Sequence, residues 1–200
     1  MSTTSRLTRL GAASAVLVAT TSTVLTQGAS ASTLAAPSTG RNCVINLAAG
    51  GAVTCYETFT AAIAAATGGK ITGAPRDAHS AASNPAFKRR IEAIAQAKGQ
   101  SARQEAETVI GFEYQHSKFR GRVWTVRTSH GCDRDNGVEW EVKSLYDNWW
   151  NDRISSFETF ANCQANHYEN AGGRGVDHGY RNSTRHMGAM NDQTSSIRWR

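Results

Sequence analysis

The spacing of apolar residues predicts two short helices in the first half of the chain. Residues 57–67 are rich in alanine, place two bulky apolar residues on one face, and end at a Gly-Gly pair that would stop a helix. Residues 85–98 begin with Pro85 behind an asparagine N-cap, and their apolar residues recur at the helical spacing. Ahead of both helices, residues 43–55 hold apolar residues around another Gly-Gly pair, which predicts a small hairpin.

From residue 108 onward the pattern changes to the alternation typical of β-strands. Three strand-like segments, residues 109–114, 123–126 and 138–142, are separated by turn-forming residues. A β half of 93 residues is long enough for one small sandwich, but it would be marginal without a disulfide or a metal. We therefore predict a mainly β protein, in which residues 108–200 form the sandwich.

The region before the sandwich, residues 32–107, is predicted to be a small α-rich subdomain. It begins with a flexible mature terminus and ends in a polar linker, residues 100–107. Two interpretations stay open, a permanent partner that packs on the sandwich and a pro-region that is removed on maturation. The first is slightly favoured.

The β half contains one oxygen-rich six-residue motif twice, as the strings NDRISS at residues 151–156 and NDQTSS at residues 191–196. These two strings begin 40 residues apart (191 minus 151), about the length of a four-stranded β unit. Calcium takes six to eight oxygen ligands, and each string offers an amide, a carboxylate, a backbone carbonyl and a hydroxyl. One copy alone would indicate an ordinary turn. Two copies predict a paired calcium site, with a modest affinity of roughly 10⁻⁶ to 10⁻³ M because each string has one carboxylate.

The first residues have the features of a secretory signal peptide. Arg6 and Arg9 precede an apolar run, and residues 29–31 form a small-residue cleavage pattern. The run is too short and too rich in Thr and Ser for a membrane span, and no later segment approaches about 20 apolar residues. We expect residues 1–31 to be removed and the protein to be secreted, extracellular and monomeric, with no membrane span.

The charge of the chain does not require a nucleic-acid partner. Residues 1–31 contain two arginines and no acidic residue, so their removal lowers the formal charge from +6 to +4. No stretch of the remainder clusters Lys and Arg densely enough to follow a phosphate backbone. We expect no nucleic-acid binding.

Four cysteines in an exported chain fit two disulfides, although four cysteines allow three connectivities. Nearness in the sequence favours Cys43 with Cys55 and Cys132 with Cys163. The first pair would close a short loop, which is worth roughly 3 kcal/mol in the chain-entropy model. Zinc is a poorer interpretation, because the chain has no Cys-x-x-Cys pair with an accompanying histidine spacing.

An aromatic corner precedes the first string. Tyr114, Phe119 and Gly121 form an aromatic-x4-aromatic-x-Gly pattern, and both strings read Asn/Asp-Asn/Asp-x-x-Ser/Thr-Ser. These two motifs resemble the Greek-key corner and the calcium signature of the βγ-crystallins. The resemblance covers residues 109–200 and implies a sandwich of two Greek keys.

The second corner departs from this pattern at one position. Tyr168 and Gly175 keep the spacing, but Gly173 stands where the second aromatic residue is expected. Glycine there can still allow a tight fold of the hairpin. The first key is also longer, with 37 residues from its corner tyrosine to its string against 23 in the second key, and we attribute the difference to an insertion around residues 132–137.

The resemblance further implies how two calcium ions would be held. Each site would draw ligands from both strings in a crossed arrangement. The implied ligands are the carboxylates of Asp152 and Asp192, the backbone carbonyls of Arg153 and Gln193, and the hydroxyls of Ser155 and Ser195. Asn151 and Asn191 are expected to order the loops, and the Arg153 side chain is expected to point to solvent.

The overall layout also resembles secreted actinobacterial proteins that are grouped with peptidase inhibitors, including the streptomycete metalloproteinase inhibitor. This resemblance implies an alternative function, inhibition of an extracellular protease by a disulfide-braced loop near Cys132 or Cys163. The sequence contains no recognisable reactive-site motif, so the inhibitory function rests on analogy alone.

No enzymatic activity is predicted, because no Ser or Cys nucleophile stands beside a histidine in a recognisable setting. Asp177 and His178 form the one adjacent acid–imidazole pair of the sequence, and this pair lacks a third partner. The other histidines of the β half are expected to be surface or hydrogen-bonding residues.

The tryptophans offer a weaker alternative, a saccharide- or envelope-binding surface. Trp140 and Trp199 follow the alternation of strands and are expected in the core. Trp149 and Trp150 are neighbours, and neighbouring strand residues face opposite sides, so one of the two is expected to be exposed beside the first string.

Overall fold

Two β-sheets and three short helices form the computed structural model, which describes residues 41–97, 108–133 and 135–200. The predicted signal peptide, the predicted flexible terminus and the polar linker lie outside these residues. The strands are β1 Asn42–Asn46, β2 Ala52–Tyr56, β3 Thr108–His116, β4 Arg120–Thr128, β5 Trp140–Val142, β6 Ser156–Thr159, β7 Ala165–Asn170, β8 Arg174–Asp177, β9 Ser183–Thr184 and β10 Ser196–Trp199. The helices are α1 Phe59–Ala66, α2 Ala78–Ala82 and α3 Pro85–Gln96.

Each sheet contains strands that are not consecutive in the chain, and this topology determines where the two strings meet. One sheet has the order β2-β1-β4-β3-β6-β9, and the other has the order β5-β10-β7-β8. The strand that follows the first string, β6, pairs with β3, and the strand that follows the second string, β10, pairs with β7. Each string therefore enters a central position of a different sheet.

The mainly β class and the three predicted strand segments are confirmed by β3, β4 and β5. Residues 108–114 of β3 and 123–126 of β4 are buried on both strand faces. On β3, Phe112 packs on Phe87 of α3, whereas the next residue, Glu113, contacts His167 of the other sheet. The prediction is wrong at Val138, which precedes β5 and is 47% exposed. Trp199 is fully buried as predicted, whereas Trp140 is only partly buried against the core.

Local sequence explains where the helices begin. The Asn84 side chain accepts a hydrogen bond from the backbone N–H of Phe87 at 3.0 Å, and Pro85 follows as the first helical residue of α3. Thr58 caps α1 in the same way by accepting from the N–H of Ala61 at 3.1 Å. The five-residue helix α2 was not predicted, because it is too short for its apolar residues to show a period.

The N-terminal hairpin is part of the larger sheet. Strand β1 pairs with β2 on one side in antiparallel fashion and with β4 on the other side in parallel fashion, with Asn42 opposite Val123. Helix α1 lies on this sheet, and the guanidinium of Arg127 on β4 donates to the carbonyl of Ala65 at 3.0 Å. The hairpin therefore covers an edge that β4 would otherwise expose.

Helix α3 is joined to the β half by aromatic and charged contacts. The Phe87 ring lies 6.0 Å from Phe59 and 6.4 Å from Phe112, and all three rings are buried. The Lys88 ammonium pairs with the buried carboxylate of Glu158 on β6. One continuous core thus includes side chains from the helices and from both sheets.

Both disulfides join the predicted pairs of cysteines. Cys43–Cys55 links β1 to β2, and Cys132–Cys163 links the loop after β4 to the loop after β6. Within the described residues, no helix is long and apolar enough to cross a membrane.

Candidate metal centre

The two strings are tied to their corners by the same hydrogen bonds. The N–H of Ser155 donates to the carbonyl of Tyr114 at 3.0 Å, and the N–H of Ser195 donates to the carbonyl of Tyr168 at 2.8 Å. The next serine of each string, Ser156 or Ser196, then donates its hydroxyl to a carbonyl of the corner hairpin at 2.7 or 2.6 Å. The repeat in the sequence is therefore a repeat in hydrogen bonding.

The backbone of the two corners is also equivalent. Phe119 has φ 60° and its counterpart Gly173 has φ 68°, and each N–H donates to the last serine of its string at 3.0 Å. Glycine at 121 is required, because φ is 84° and a Cβ there would lie 2.7 Å from the His116 ring. Gly175 repeats this conformation with φ 82°.

An arginine occupies the aromatic position of the second corner. In the first corner the Phe119 ring lies 5.3 Å from the Tyr114 ring. In the second corner the Arg198 guanidinium lies 5.6 Å from the Tyr168 ring and donates to the carbonyl of Gly172 at 2.9 Å. A Cβ on Gly173 would overlap this guanidinium, so glycine leaves the space that the cation fills. The sequence identified the glycine but not the arginine, which lies 25 residues later on β10 (198 minus 173).

The two strings meet at their aspartates. Asp152 and Asp192 both have φ 54°, a left-handed conformation that tightens each loop. The N–H of Asp152 donates to the carbonyl of Thr194 at 3.1 Å, and the N–H of Asp192 donates to the carbonyl of Ile154 at 3.0 Å. These reciprocal bonds hold the two loops side by side.

A carboxylate of one string lies beside a hydroxyl of the other. The Ser155 Oγ is 2.8 Å from the Asp192 Oδ1 and 2.9 Å from the carbonyl oxygen of Gln115. Three oxygens from two strings and one corner are therefore gathered at this point. A hard cation such as calcium takes this set of donors.

The asparagines order the loops in a matching way. The Asn151 Nδ2 donates to the Asp152 Oδ2 at 2.7 Å, and the Asn191 Nδ2 donates to the Asp192 Oδ2 at 2.8 Å. The Asn151 Oδ1 is buried and has no hydrogen-bond partner among the residues the structure describes. An unpaired buried acceptor costs free energy, and a cation beside the first string would offset that cost.

Exposure divides the string residues into two groups. Ser155 and Ser195 are buried, whereas the side chains of Arg153 and Gln193 are exposed. The Arg153 guanidinium lies 4.7 Å from the ring of Trp149, which is 40% exposed. Trp150 is buried and stacks on Trp124 at 5.8 Å, so one tryptophan of the pair is exposed, as predicted.

The sequence did not identify a second acidic group in the loop between β4 and β5. One carboxylate oxygen from each of Asp133, Asp135 and Glu139 lies within 4.8 Å of the others. The Glu139 Oε1 accepts from the N–H of Asp133 at 2.6 Å, and the Asp135 Oδ1 accepts from the N–H of Gly137 at 2.6 Å. Partial burial raises the pKa of the Glu139 carboxyl. These bonds fold the loop on itself, in the region where we placed the insertion of the first key.

A buried hydrogen bond joins the two sheets. The His167 ring on β7 lies 2.9 Å from the Glu113 carboxylate on β3, and both side chains are fully buried. His167 is therefore a hydrogen-bonding histidine, as expected, and it lies in the core. His178 is 3.0 Å from the Thr184 hydroxyl, and burial lowers its pKa.

Several solved structures that resemble this fold are βγ-crystallin domains. They include a βγ-crystallin from Ciona intestinalis (16% identity, 45% of this chain and 98% of that chain, TM-score 0.34). Another is a domain from Flavobacterium johnsoniae (21% identity, 46% of this chain and 93% of that chain, TM-score 0.34). A domain from Clostridium beijerinckii is also similar (17% identity, 45% of this chain and 95% of that chain, TM-score 0.35). A clostrillin double mutant in complex with nickel is also similar (18% identity, 45% of this chain and 95% of that chain, TM-score 0.35). No protein-family profile and no curated protein matches the sequence.

Proposed function

We propose that the protein is a secreted βγ-crystallin-like module that binds two calcium ions where its two strings meet. The observation that carries this proposal is the crossing of the strings, in which the Asp192 carboxylate lies 2.8 Å from the Ser155 hydroxyl. The equivalent loop conformations of Asp152 and Asp192 support a second, matching site. The donors are all oxygens, as calcium requires.

Each type of residue in the strings would have a separate role at the calcium sites. Asp152 and Asp192 would supply carboxylate oxygens, Arg153 and Gln193 backbone carbonyls, and Ser155 and Ser195 hydroxyls. Asn151 and Asn191 would hold the carboxylates in place, since each already donates to its neighbouring aspartate. Bound calcium would supply positive charge that neutralises the carboxylates of the two strings.

Calcium would act by stabilising the fold. An ion that binds only the folded state adds RT ln(1 + [L]/Kd), or about 2.7 kcal/mol at a hundredfold excess over Kd. For a folded unit of this size that corresponds to a rise in Tm of roughly 5–10 °C. The ions would join two loops that belong to different sheets, so the gain would appear in one cooperative transition.

Calorimetric titration with calcium and thermal unfolding with calcium or chelator test the proposal. We expect two ions per chain and a higher Tm with calcium. Asp152→Ala and Asp192→Ala should each weaken both ions, because each site draws on both strings. Asp135→Ala is the matched control, since it removes a carboxylate of the separate acidic loop. The absence of binding heat together with an unchanged Tm would refute the function.

An extracellular location fits the two disulfides, which persist in oxidising compartments. Cleavage after a signal peptide would produce this location. Mass spectrometry of the exported protein would identify its first residue, and a mature chain that still begins at Met1 would contradict secretion by this route.

The N-terminal region would remain a permanent part of the mature protein. Strand β1 forms backbone hydrogen bonds with β4, and α3 supplies the Lys88 partner of the buried Glu158. Loss of residues 41–97 would expose the edge of β4 and leave this carboxylate without its cation. The mature protein should therefore contain β1 and α3.

A second candidate function, inhibition of an extracellular protease, is supported by the loop at Cys163. Ala161 and Asn162 both have positive φ, at 58° and 65°, and the disulfide to Cys132 braces the loop. Backbone strain of this kind is concentrated at functional sites, and a rigid loop loses little entropy on binding a protease cleft. A panel of secreted metallo- and serine proteases tests this function, and no inhibition at micromolar concentration would exclude it for those enzymes.

A further inference from the structure

Arg153 is the positively charged residue of the first string, and it directly follows Asp152. The corresponding residue of the second string is the neutral Gln193. A guanidinium that moved freely beside a carboxylate would pair with it and weaken the attraction for a cation. The first string therefore needs a contact that keeps this guanidinium away from the carboxylate.

Trp149 supplies that contact. The Arg153 guanidinium carbon lies 4.7 Å from the centroid of the Trp149 ring, a distance at which a cation is attracted to the aromatic face. The Asp152 Oδ2 instead accepts from the Asn151 amide at 2.7 Å. Within the described ranges, no ion pair joins Asp152 to an arginine.

The second string is an internal control for this arrangement. Trp149 stands two residues before the first string begins, and the position two residues before the second string is Ala189. The tryptophan is therefore present in the copy with an arginine and missing from the copy with a glutamine. The arginine and the tryptophan thus occur together in the first copy, and both are replaced in the second.

We propose that Trp149 is a positioning residue for calcium at the first string. It holds the Arg153 guanidinium at the surface, so that the backbone carbonyl of Arg153 and the carboxylate of Asp152 stay available to the ion. The tryptophan itself does not contact the ion. This role rests on the proposed calcium function, and it makes the exposed ring of Trp149 a part of the centre instead of a saccharide platform.

Calcium titration of the full chain at low ionic strength tests the role with four proteins. These are the wild type, Trp149→Ala, Arg153→Gln and the double variant. Trp149→Ala should weaken the binding of both ions, because each site draws on Asp152, and the ion nearer to Arg153 should be weakened about tenfold, the effect of a unit charge on a divalent ion about 6 Å away in a medium like water. Arg153→Gln alone should bind at least as tightly as the wild type, and the double variant should recover that affinity.

Arg122→Gln is the matched control, because the Arg122 guanidinium lies 4.5 Å from the same ring but belongs to β4. It should leave both affinities within about twofold of the wild type. A second readout is the Tm in chelator as salt is raised. In Trp149→Ala the freed Arg153 should form an ion pair with the neighbouring carboxylate, and added salt screens such a pair. The Tm of Trp149→Ala should therefore fall with added salt more than the Tm of the double variant does.

The outcomes separate the two proposals. A wild type that binds no calcium refutes the function itself. A wild type that binds two ions beside a Trp149→Ala variant of equal affinity overturns the positioning role alone. A double variant as weak as Trp149→Ala also overturns it, because Trp149 would then only shape the loop.

Discussion

The Lys88–Glu158 pair tests whether the N-terminal region and the β half form one folding unit. Glu158 lies on β6 with 6% of its side chain exposed, and the Tyr114 hydroxyl donates to its Oε2 at 3.1 Å. Lys88→Met keeps most of the aliphatic stem and removes the charge. Among the described residues, Glu158 then keeps the hydrogen bond from Tyr114 but has lost its cation, which is costly for a buried carboxylate.

The cost follows from the burial of the two partners. Removal of one partner of a fully buried pair costs about 3–5 kcal/mol. A third of the Lys88 side chain is exposed, so water reaches the vacated end, and we expect about 2 kcal/mol. For a folded unit of this size the Tm should fall by about 4–8 °C.

Urea unfolding followed by tryptophan fluorescence, with calcium held constant, measures this effect. The double variant Lys88→Met/Glu158→Gln should recover part of the loss, because a neutral amide is less costly to bury than a carboxylate. Lys143→Met is the matched control, since Lys143 pairs with Glu141 at 3.4 Å at the surface and should change stability by less than about 1 kcal/mol. Equal losses for Lys88→Met and Lys143→Met would refute the reasoning, and so would two separate transitions in the wild type.

Three further changes test other parts of the fold. Phe87→Ala should cost about 3–5 kcal/mol in urea unfolding, because the ring is 2% exposed inside the aromatic cluster, and a loss under 1 kcal/mol would contradict that packing. Replacing both Cys132 and Cys163 by alanine should cost about 3–4 kcal/mol by loop entropy, measured against the wild type without reductant, and an unchanged Tm would contradict it. Burial raises the pKa of Tyr114 well above its ordinary value of 10.0, so stability should be complete below about pH 10 and decline above it as the unfolded phenol ionises. Tyr114→Phe should flatten this decline, and an equal alkaline slope in the two proteins would exclude the tyrosine as its cause.

Features coded by neighbouring residues could be predicted from the sequence. The Asn84 cap and Pro85 fix the start of α3, and the β-branched and aromatic residues of β3 and β4 form strands that are buried on both faces. The repeated strings led to a pair of equivalent loops because each asparagine bonds to the next residue and the serines of each string bond to the equivalent corner.

Features that depend on distant residues could not be predicted. The parallel pairing of β1 with β4 and the contact of His167 with Glu113 join residues more than 50 positions apart, and no local pattern specifies such partners. Arg198 fills the place of the missing aromatic residue only because the register of β10 against β7 brings it over Tyr168. Val138 kept the alternation of a strand, but the turn of the acidic loop before β5 leaves it at the surface.

The pairing of β1 with β4 also sets an order of assembly. Asn42 faces Val123, which lies 81 positions later (123 minus 42), so the hairpin is synthesised long before its partner strand. Contacts at such separation form slowly, because the loop between them must close first. The Cys43–Cys55 bond joins β1 to β2 across a separation of only 12 residues, so it can hold the hairpin together early. The disulfide would keep β1 extended and paired with β2 until β4, its second partner strand, is available for pairing.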